Sequence, residues 1–503
     1  MASGRSNNQQ LMANNTGRSF MPQEYDNLIG GKWVSARSGE RFADVNPADT
    51  EDCLGHFPIA GREEAQAAVA AAQAAFPDWR ATPAPARGKI LLKAAQILES
   101  RAEQVARDLT REEGKTLREG RGETLRAVEI LEYFGGEARR LFGETVPSAM
   151  PNTFLFTVRE PLGVVSLITP WNFPIAIPAW KMAPALVSGN TVVFKPASLT
   201  PLTALNLVQC LEEAGIPPGV VNLVTGPGST VGEEIINHQQ VRAVSFTGSH
   251  EVGSGVYGQV SRRAVKCQCE MGGKNPIIVL EDADLDKATD VSIDGAFWST
   301  GQKCTAASRV IVLKPILEDY LRLMVEKTEK LVVGDGMKDA TQVGPLVDQS
   351  QLDRTLEYIR IGNAEGARLL TGGKRLEGPE FDRGYFVQPT IFADVTAQMR
   401  IAQEEIFGPV LSVISAKTFD EAIEVANGIR FGLSASIVTQ NLSRVFQYVN
   451  RIQAGQVHIN ATTAGAECHV PFGGVKDSST GIREQGSVAI DFYSQLKTVY
   501  LHY

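Results

Sequence analysis

Short β-branched runs alternate with amphipathic segments from about residue 164 onward, and this alternation constrains the fold more than any other feature. Strands separated by single helices predict a parallel sheet covered by helices, because parallel neighbours need a crossover connection. The expected strands of the first block are Val164–Ile168, Thr191–Phe194, Val220–Val224, Ala243–Phe246 and Val265–Cys269. The helices between them are expected to begin near Pro174, Thr200, Ser229 and Ser249.

Two further regions complete the expected organisation. From Arg62, apolar residues recur at helical spacing and predict one helix, a second long segment over Ile90–Leu109 and a third helix over about Glu119–Phe142. A second alternating block runs from Ile277 to about Ile459. The chain of 503 residues is too long for one core. We therefore expect an α/β fold with a Rossmann-like first domain and a second α/β domain.

Composition excludes several function classes. Lys plus Arg number 49 against 57 Asp plus Glu, a net charge of −8, which disfavours nucleic acid or an anionic membrane surface as a partner. No apolar run approaches the roughly 18 residues that a membrane span needs. Six cysteines and six histidines show no metal-ligand spacing, so no metal is expected, and sparse thiols fit a reducing, cytoplasmic compartment. Residues 1–21, rich in Asn, Gln, Ser and Gly, predict a disordered tail.

Two glycine clusters follow expected strands and are candidates for holding phosphate. Gly226–Gly232 follows the strand that ends at Val224, and Phe246–Ser249 opens the helix after the next strand. Backbone N–H groups at a helix N-terminus bind phosphate oxygens, and glycine permits close approach. An ordinary turn is the better explanation of a single cluster, whereas two in one series favour a nucleotide without specifying which.

Cys304 is the cysteine whose surroundings are most typical of a nucleophile. It follows the apolar stretch Val291–Trp298 within a polar run, where Gly301 permits close approach and the positive charge of Lys303 is expected to favour the thiolate. The remaining cysteines are better explained as small buried hydrophobes. They are Cys53, Cys210, Cys267, Cys269 and Cys468.

A thiolate nucleophile needs a base for a later water molecule and donors for an oxyanion. Glu270 ends an expected strand beside Gly272 and Gly273, which we expect to let it swing, in surroundings that raise a carboxyl pKa. A loop carboxylate without a chemical role explains Glu270 equally well at this point. Asn172 supplies a side-chain amide in the proline-flanked loop Pro170–Pro174, which suits an oxyanion donor.

Taken together, these runs resemble the aldehyde dehydrogenase superfamily. The resemblance extends from about Tyr25 to Tyr503 and rests on eight motifs in family order, a combination far more specific than any one of them. The motifs are Pro170–Pro174, Phe194–Ser198, Phe246–Ser249, Glu270–Lys274, Gly301–Thr305, Glu404–Pro409, Pro471–Gly474 and Arg483–Glu484.

The resemblance implies a reaction in two halves. Cys304 would attack the aldehyde carbon, and Asn172 with the backbone N–H of Cys304 would stabilise the oxyanion. Hydride transfer to a nicotinamide would leave a thioester. Glu270 would then activate water for hydrolysis, passing its proton through Lys181 and Glu484. Retention of Cys304 and Glu270 argues against a non-catalytic structural or binding role, and Glu270 argues against a CoA-acylating relative.

The resemblance also implies NAD or NADP as cofactor. Lys195 would hold the adenosine ribose, Ser249 the pyrophosphate, and Glu405 with Phe407 the nicotinamide ribose and ring. Further implied contacts are Ile168, Thr169, Pro170, Trp171, Ala197, Ser198, Gly228, Phe246, Gly248, Val252, Met271 and Gly272. Ser198 stands where NAD-selective relatives often carry a glutamate that repels a 2′-phosphate. The sequence therefore predicts that NADP is accepted and leaves open whether it is preferred to NAD.

The substrate is expected to be a semialdehyde. Three softer runs resemble bacterial dehydrogenases of α-ketoglutaric semialdehyde (2,5-dioxopentanoate). These runs are Ser299–Ala306, Thr463–Gly465 and Ser478–Gly486. Succinate semialdehyde and aromatic or aliphatic aldehydes stay open, because the stretch from Phe173 to Trp180 carries no cation for a distal carboxylate. The expected cavity residues are Phe173, Trp180, Phe297, Trp298, Lys303 and Phe472.

Three structural parts follow from the resemblance. Their expected ranges are 22–147 and 159–270 for cofactor binding, 271–469 for catalysis, 470–486 for a returning link, and 148–158 with 487–503 for oligomerisation. The run Leu496–Leu501 alternates like an edge strand, which needs a partner to avoid aggregation. A homodimer or a homotetramer is expected.

Overall fold

The computed structural model describes residues 23–503, so the tail expected at 1–21 lies outside the described residues. In its first half the strands are β1 (Gln23–Glu24), β2 (Asn27–Ile29), β3 (Lys32–Val34), β4 (Arg41–Asn46), β5 (Asp49–Pro58), β6 (Thr145–Val146), β7 (Thr153–Pro161), β8 (Val164–Ile168), β9 (Thr191–Lys195), β10 (Val221–Leu223), β11 (Val241–Thr247) and β12 (Lys266–Glu270). The helices of this half are α1 (Arg62–Ala81), α2 (Ala84–Ser100), α3 (Ala102–Glu113), α4 (Leu117–Glu137), α5 (Ala176–Val187), α6 (Pro201–Ala214), α7 (Glu233–Asn237) and α8 (His250–Val260).

The second half continues the alternation. Its strands are β13 (Asn275–Val279), β14 (Ala307–Leu313), β15 (Arg368–Thr371), β16 (Thr390–Ala393), β17 (Val410–Ala416), β18 (Phe431–Gly432), β19 (Ser434–Val438), β20 (Gln456–Ile459), β21 (Val475–Lys476), β22 (Ser479–Thr480) and β23 (Ser494–His502). Its helices are α9 (Leu285–Phe297), α10 (Leu317–Thr328), α11 (Gln349–Ala364), α12 (Arg400–Gln403), α13 (Phe419–Asn427), α14 (Leu442–Arg451) and α15 (Ala489–Tyr493).

Two mostly parallel sheets carry the fold. The first has the order β22-β12-β11-β8-β9-β10-β2-β3, and its run from β12 to β10 is parallel throughout. The second has the order β15-β16-β17-β14-β13-β19-β20, parallel from β16 to β20. Buried apolar residues of the covering helices pack on both sheets. The predicted α/β class, with two alternating blocks, is confirmed.

Parallel pairing places the carboxyl ends of neighbouring strands at one edge of the first sheet. β8, β9, β11 and β12 end at Ile168, Lys195, Thr247 and Glu270, respectively. In open α/β sheets, ligands bind in the crevice outside these carboxyl ends. The edge therefore brings Glu270 next to the segments in which the sequence predicted cofactor contacts.

Two helix boundaries differ from the expected ones. The segment expected to run through Ile90–Leu109 is two helices, because Arg101 leaves the helical conformation (φ −109, ψ 5) between α2 and α3. The helix expected to reach Phe142 ends at Glu137. Apolar periodicity detects the buried face of both helices. It does not detect one residue at which the backbone hydrogen bonding of a helix is interrupted.

The C-terminal strand pairs with β7 over its full length. β23 and β7 are antiparallel from Ser494 opposite Pro161 to His502 opposite Thr153, and β23 lies at the edge of this three-stranded sheet. The preceding helix α15 packs its apolar side chains into the core of the first sheet. Strand β22, from the expected returning link, pairs with β12 at the edge of that sheet. The chain thus crosses between the expected parts more often than their ranges predict.

Within residues 23–503, no helix is long and apolar enough to cross a bilayer. The same residues contain no group of three or more His, Cys, Asp or Glu side chains arranged to hold a metal ion.

Candidate active site

A cavity of about 530 Å³ contains Cys304. Its walls come from α4, from the first turns of α5 and from the loops around residues 298–305, 339–342 and 464–472. The expected cavity residues that line it are Phe173, Trp180, Trp298, Lys303 and Phe472. A volume of this size suits a small organic substrate.

Phe297 is the expected cavity residue that the structure places elsewhere. Its side chain is 1% exposed and packs in the core beneath the second sheet. Phe297 ends α9 on the buried face, whereas Trp298 begins the following turn and lines the cavity. Adjacent residues of a helix point about 100° apart, so the neighbouring aromatics face different environments.

The loop before Cys304 has an unusual backbone. Ser299, Thr300 and Gly301 all have positive φ, at 52°, 54° and 69°. For non-glycine residues this left-handed conformation costs on the order of 1 kcal/mol or more each and persists only where the surroundings enforce it. A Cβ added at Gly301 would lie 2.5 Å from the carbonyl oxygen of Gly408, so this glycine permits a close backbone approach, as the sequence indicated.

Buried polar contacts hold this loop in place. The Glu119 carboxylate accepts hydrogen bonds from the Ser299 N–H (2.6 Å) and hydroxyl (3.1 Å). The Gln302 side chain accepts from the Val347 N–H at 3.0 Å. The Asn275 amide donates to the carbonyl oxygen of Cys304 at 2.8 Å. These contacts supply the external support that a strained loop requires.

Asn172 lies directly against the Cys304 loop. Its side chain is buried, and Nδ2 donates to the carbonyl oxygen of Gln302 at 2.9 Å. An amide nitrogen carries two N–H groups, so one remains for a further acceptor. The loop predicted to carry an oxyanion donor therefore does present an amide beside the cysteine.

Cys304 is half-buried, and its thiol is strongly shifted toward the neutral form. Burial, with the carboxylates of Glu405 and Glu270, raises the pKa of the thiol to about 12. Lys303 does not offset this as the sequence predicted. Its amine donates to the carbonyl oxygen of Asp294 (3.1 Å), and burial lowers the pKa of Lys303 to about 8. The fold thus favours the neutral thiol over the thiolate.

Glu270 is buried at the end of β12, where it accepts a hydrogen bond from the Ser479 hydroxyl. Burial, together with the nearby Glu484 carboxylate, raises the pKa of Glu270 well above its usual range. A carboxylate whose pKa approaches neutrality accepts a proton more readily than an exposed one. The fold therefore gives Glu270 the raised pKa that the sequence predicted.

A chain of hydrogen bonds leads from Glu270 to Glu484. Gln268 Nε2 donates to Glu270 Oε1 at 3.3 Å, and the Ser245 hydroxyl donates to Gln268 at 2.8 Å. Lys181 Nζ donates to Ser245 at 2.7 Å and also pairs with Glu484. The sequence predicted Lys181 and Glu484, the last two members of this hydrogen-bond series. It missed Ser245 and Gln268, which lie on adjacent strands β11 and β12.

The cleft at the strand ends has the donors that a dinucleotide needs. Ser249 caps α8, accepting from the Val252 N–H at 3.4 Å, so the helix N-terminus faces the cleft edge. The hydroxyls of Thr169 and Thr247, which follow or end β8 and β11, are buried without a hydrogen-bond partner among residues 23–503. Unpartnered buried hydroxyls at this edge fit a site completed by a polar ligand.

Other predicted cofactor residues surround the same cleft. Lys195 ends β9 with its amine 2.9 Å from the carbonyl oxygen of Pro196, and burial lowers its pKa to about 8. Trp171 stacks edge-on against Phe407, with ring centroids 5.3 Å apart. Glu405 accepts from the Gly273 N–H at 2.9 Å. The remaining residues of this set, by position along the strand-end loops, are Ile168, Pro170, Ala197, Ser198, Gly228, Phe246, Gly248, Met271 and Gly272.

Several residues at the site were not found from the sequence. Arg118 and Arg126 of α4 line the cavity, and so does Lys115, which precedes that helix. Their spacing carries a partial signal, because positions 118, 122 and 126 repeat every four residues and share one helix face. Glu119 gives no such signal, since its partner Ser299 is 180 residues away.

Comparisons with known proteins agree with this geometry. The aldehyde dehydrogenase family model matches residues 33–499. The chain is 50% identical over 478 residues to an alpha-ketoglutaric semialdehyde dehydrogenase of Bacillus subtilis, covering 95% of this chain and 98% of that one. It is 46% identical to a 2,5-dioxopentanoate dehydrogenase of Saccharolobus solfataricus, covering 94% and 98%.

A solved structure gives the same result at the level of the fold. The crystal structure of betaine aldehyde dehydrogenase from Staphylococcus aureus in complex with NAD+ superimposes with a TM-score of 0.93 at 33% identity, covering 95% of this chain and 94% of that one. The sequence motifs, the two sheets and the cavity around Cys304 lead to one assignment: the chain is an enzyme of the aldehyde dehydrogenase family.

Proposed function

We propose that the chain oxidises a dicarboxylic semialdehyde, 2,5-dioxopentanoate, to the acid with NAD or NADP. The observation that carries the chemistry is the Cys304 thiol in this cavity, with the Asn172 amide bonded to Gln302 two residues away and the buried Glu270 carboxylate near enough to raise the pKa of the thiol. The names of the relatives at 46–50% identity support the substrate. Succinate semialdehyde and neutral aldehydes are the alternatives.

The first half of the reaction forms a covalent adduct. The Cys304 sulfur bonds to the aldehyde carbon, the C=O π-electrons move to oxygen, and the thiol proton passes to the nearby Glu270 carboxylate, which releases it to water before the second half. Asn172 Nδ2 is fixed by the carbonyl oxygen of Gln302 at 2.9 Å, two residues before Cys304, and its second N–H is the proposed donor to the oxyanion. Preorganised donors of this kind stabilise an oxyanion without reorganisation during the reaction.

The second half releases the acid. Loss of hydride from the adduct carbon leaves a thioester on Cys304. Glu270 removes a proton from water, whose oxygen attacks the thioester carbon and expels the sulfur. Its raised pKa makes Glu270 a stronger base than an ordinary carboxylate. The hydrogen bonds from Lys181 through Ser245 and Gln268 all donate toward Glu270, so they hold its carboxylate in place, with the buried Lys181–Glu484 ion pair at the far end.

The strand-end cleft fits a nicotinamide dinucleotide. Ser249 at the N-terminus of α8 suits the pyrophosphate, the buried Thr169 hydroxyl has an unused hydrogen bond, and Glu405 and Phe407 lie on the Cys304 side. A dinucleotide bound there supplies the hydride acceptor. Ser198 is exposed, with its hydroxyl 3.3 Å from the Gly226 carbonyl oxygen, and no carboxylate occupies this position. We infer that a 2′-phosphate is tolerated here, beside the cationic Lys195.

Two arginines at the cavity rim favour an anionic substrate. Arg118 is exposed, and Arg126 is half-buried with an ion pair to the exposed Glu129 at 2.9 Å. Gly122 lies between them on the same face of α4, where an added Cβ would meet nothing within 4 Å. The sequence stretch after Asn172 has no cation for a distal carboxylate, but the fold supplies two from α4. Arginine forms strong, two-pronged contacts with carboxylates.

We infer a homodimer or homotetramer built on the β23–β7–β6 sheet. The edge strand β23 exposes Leu496, Tyr500 and Leu501, with 61%, 60% and 47% of their surface accessible. An exposed apolar edge strand favours pairing with a second copy over isolation in water.

We infer a reducing, cytoplasmic compartment from the chemistry. All six cysteines are free, and oxidation of the Cys304 thiol would remove the nucleophile.

Replacing Glu270 with Gln should slow acid release while the first turnover survives. We expect steady-state turnover to fall about 10²–10⁴-fold, the usual contribution of a general base. Stopped-flow absorbance should still show a burst of reduced cofactor. In the wild type, hydrolysis should rise with pH until Glu270 is deprotonated, and Glu270→Gln should lack that rise. Cys304→Ala, the control, should show neither burst nor turnover. An unaffected steady state in Glu270→Gln would remove its role as base.

Wild-type enzyme should use NADP, and Ser198→Glu should selectively impair it. A carboxylate at this position would repel the 2′-phosphate, so kcat/KM for NADP should fall about tenfold or more, whereas that for NAD should not. Ser198→Gln adds the same bulk without charge and serves as the control. A wild-type kcat/KM at least tenfold higher with NAD than with NADP contradicts the inference.

Neutralising the rim arginines should distinguish anionic from neutral substrates. For Arg118→Gln/Arg126→Gln we expect KM for 2,5-dioxopentanoate to rise about 10- to 100-fold, as for loss of a charged hydrogen bond. KM for pentanal, of equal length and uncharged, should stay within about twofold. Arg121→Gln is the matched control, because Arg121 lies on the same helix but pairs with Glu103 (2.7 Å) away from the cavity. Equal changes for both aldehydes would refute the anchor.

The oligomer can be tested on the edge strand itself. Multi-angle light scattering at micromolar concentration should give the mass of a dimer or tetramer. Leu496→Lys/Tyr500→Lys should shift the mass downward, because two charges on one face of β23 oppose burial. A wild-type monomer would count against the proposed interface.

A further inference from the structure

Lys115 is a fully buried cation whose position the proposed chemistry does not by itself explain. It lies between α3 and α4, with a side chain 1% exposed. Its amine donates to the backbone carbonyl oxygen of Asn172 at 2.8 Å and to the Glu123 carboxylate at 2.7 Å. It also lies 4.3 Å above the centre of the Phe173 ring. Burying an ammonium group is costly, so it needs compensating contacts of this kind.

Glu123 extends the contact to the next turn of the chain. Its second oxygen accepts from the N–H groups of Ile175 (3.1 Å) and Ala176 (3.2 Å), where α5 begins. The Lys115–Glu123 pair therefore hydrogen-bonds to both ends of the segment from Asn172 to Ala176. A carboxylate at a helix N-terminus satisfies N–H groups that have no partner within the helix.

A continuous path joins this pair to the nucleophile. Lys115 holds the backbone of Asn172, the Asn172 side chain donates to the carbonyl oxygen of Gln302 at 2.9 Å, and Gln302 is two residues from Cys304. The buried amine thus helps to fix where the Asn172 amide lies relative to the Cys304 thiol. A displacement of about 1 Å at such a donor is enough to cost roughly 10²-fold in rate.

We propose that Lys115, paired with Glu123, is a positioning residue that fixes the Asn172 amide for stabilisation of the oxyanion. This inference rests on the proposed function, in which Asn172 is the oxyanion donor. Lys115 also lines the cavity, but the contact through which the proposal has it act is its hydrogen bond to the Asn172 backbone carbonyl.

The test replaces Lys115 and Glu123 together and keeps Glu113, which lies 3.8 Å from the amine and whose pKa burial raises to about 8. Lys115→Met alone would leave the Glu123 carboxylate buried and unpaired, so folding could fail. Lys115→Met/Glu123→Gln keeps the side-chain volumes, and the Gln oxygen can still accept from Ile175 and Ala176. We expect the burst rate of reduced cofactor to fall about tenfold or more, with KM for the aldehyde changed less than about threefold. Lys330→Met/Glu326→Gln, at an exposed ion pair between the last turn of α10 and the residues that follow it (2.8 Å), is the matched control.

Alkylation of Cys304 by iodoacetamide separates positioning from general damage. That reaction forms no oxyanion, so its rate in Lys115→Met/Glu123→Gln should match wild type. In an Asn172→Ala background the double substitution should add less than about threefold, since no amide remains to be positioned. Equal loss of alkylation and burst, or full additivity with Asn172→Ala, overturns the inference. A wild-type burst in the double variant does so as well.

The two proposals fail separately. If Asn172→Ala leaves the burst intact, the oxyanion assignment falls and the Lys115 inference falls with it. If Asn172→Ala abolishes the burst while Lys115→Met/Glu123→Gln matches wild type, only the Lys115 inference falls.

Discussion

The side-chain amide of Asn275 is the contact on which the geometry of the site depends. It donates to the carbonyl oxygens of Cys304 (2.8 Å) and Ala306 (2.9 Å), and its oxygen accepts from the Ser434 N–H at 3.0 Å. Asn275 is the first residue of β13, five positions after Glu270 at the end of β12. One amide therefore connects three parts of the site. They are the loop that follows Glu270, the loop that carries Cys304, and the second sheet. Its loss would leave buried carbonyl groups unsatisfied, at about 1–3 kcal/mol each.

The glycines beside Glu270 permit the close packing around this contact. A Cβ at Gly273 would lie 2.7 Å from the Cys304 carbonyl oxygen, and one at Gly272 would lie 2.2 Å from the Glu405 carboxylate. Neither glycine has a positive φ. The sequence suggested that they let Glu270 swing, but in the fold they allow two loops and a carboxylate to pack closely. The close packing in turn brings Glu405 near enough to raise the pKa of Cys304.

The sequence predicts the features that depend on local patterns and misses those that depend on contacts between distant segments. Strand–helix alternation and the motif around Cys304 are local patterns, so they can be recognised without knowledge of the fold. Gln268 and Ser245 become visible only when β11 and β12 lie side by side, because their contact depends on strand register. The direction of a side chain is equally non-local. Lys303 follows its sequence neighbours into the cavity wall, yet its amine turns to Asp294, and Phe297 turns into the core.

The charges around the cavity are arranged by depth. At the bottom, the cations are already occupied, Lys115 by Glu123 and Lys303 by the Asp294 carbonyl oxygen, while the wall is aromatic. At the rim, Arg118 is exposed, and Arg126 is half-buried and paired with the exposed Glu129. A carboxylate driven to the bottom would lose its hydration without gaining a free cation, whereas one held at the rim keeps much of its hydration. Under the proposed function, a semialdehyde would therefore enter with its uncharged end first, which would deliver the aldehyde carbon to the thiol.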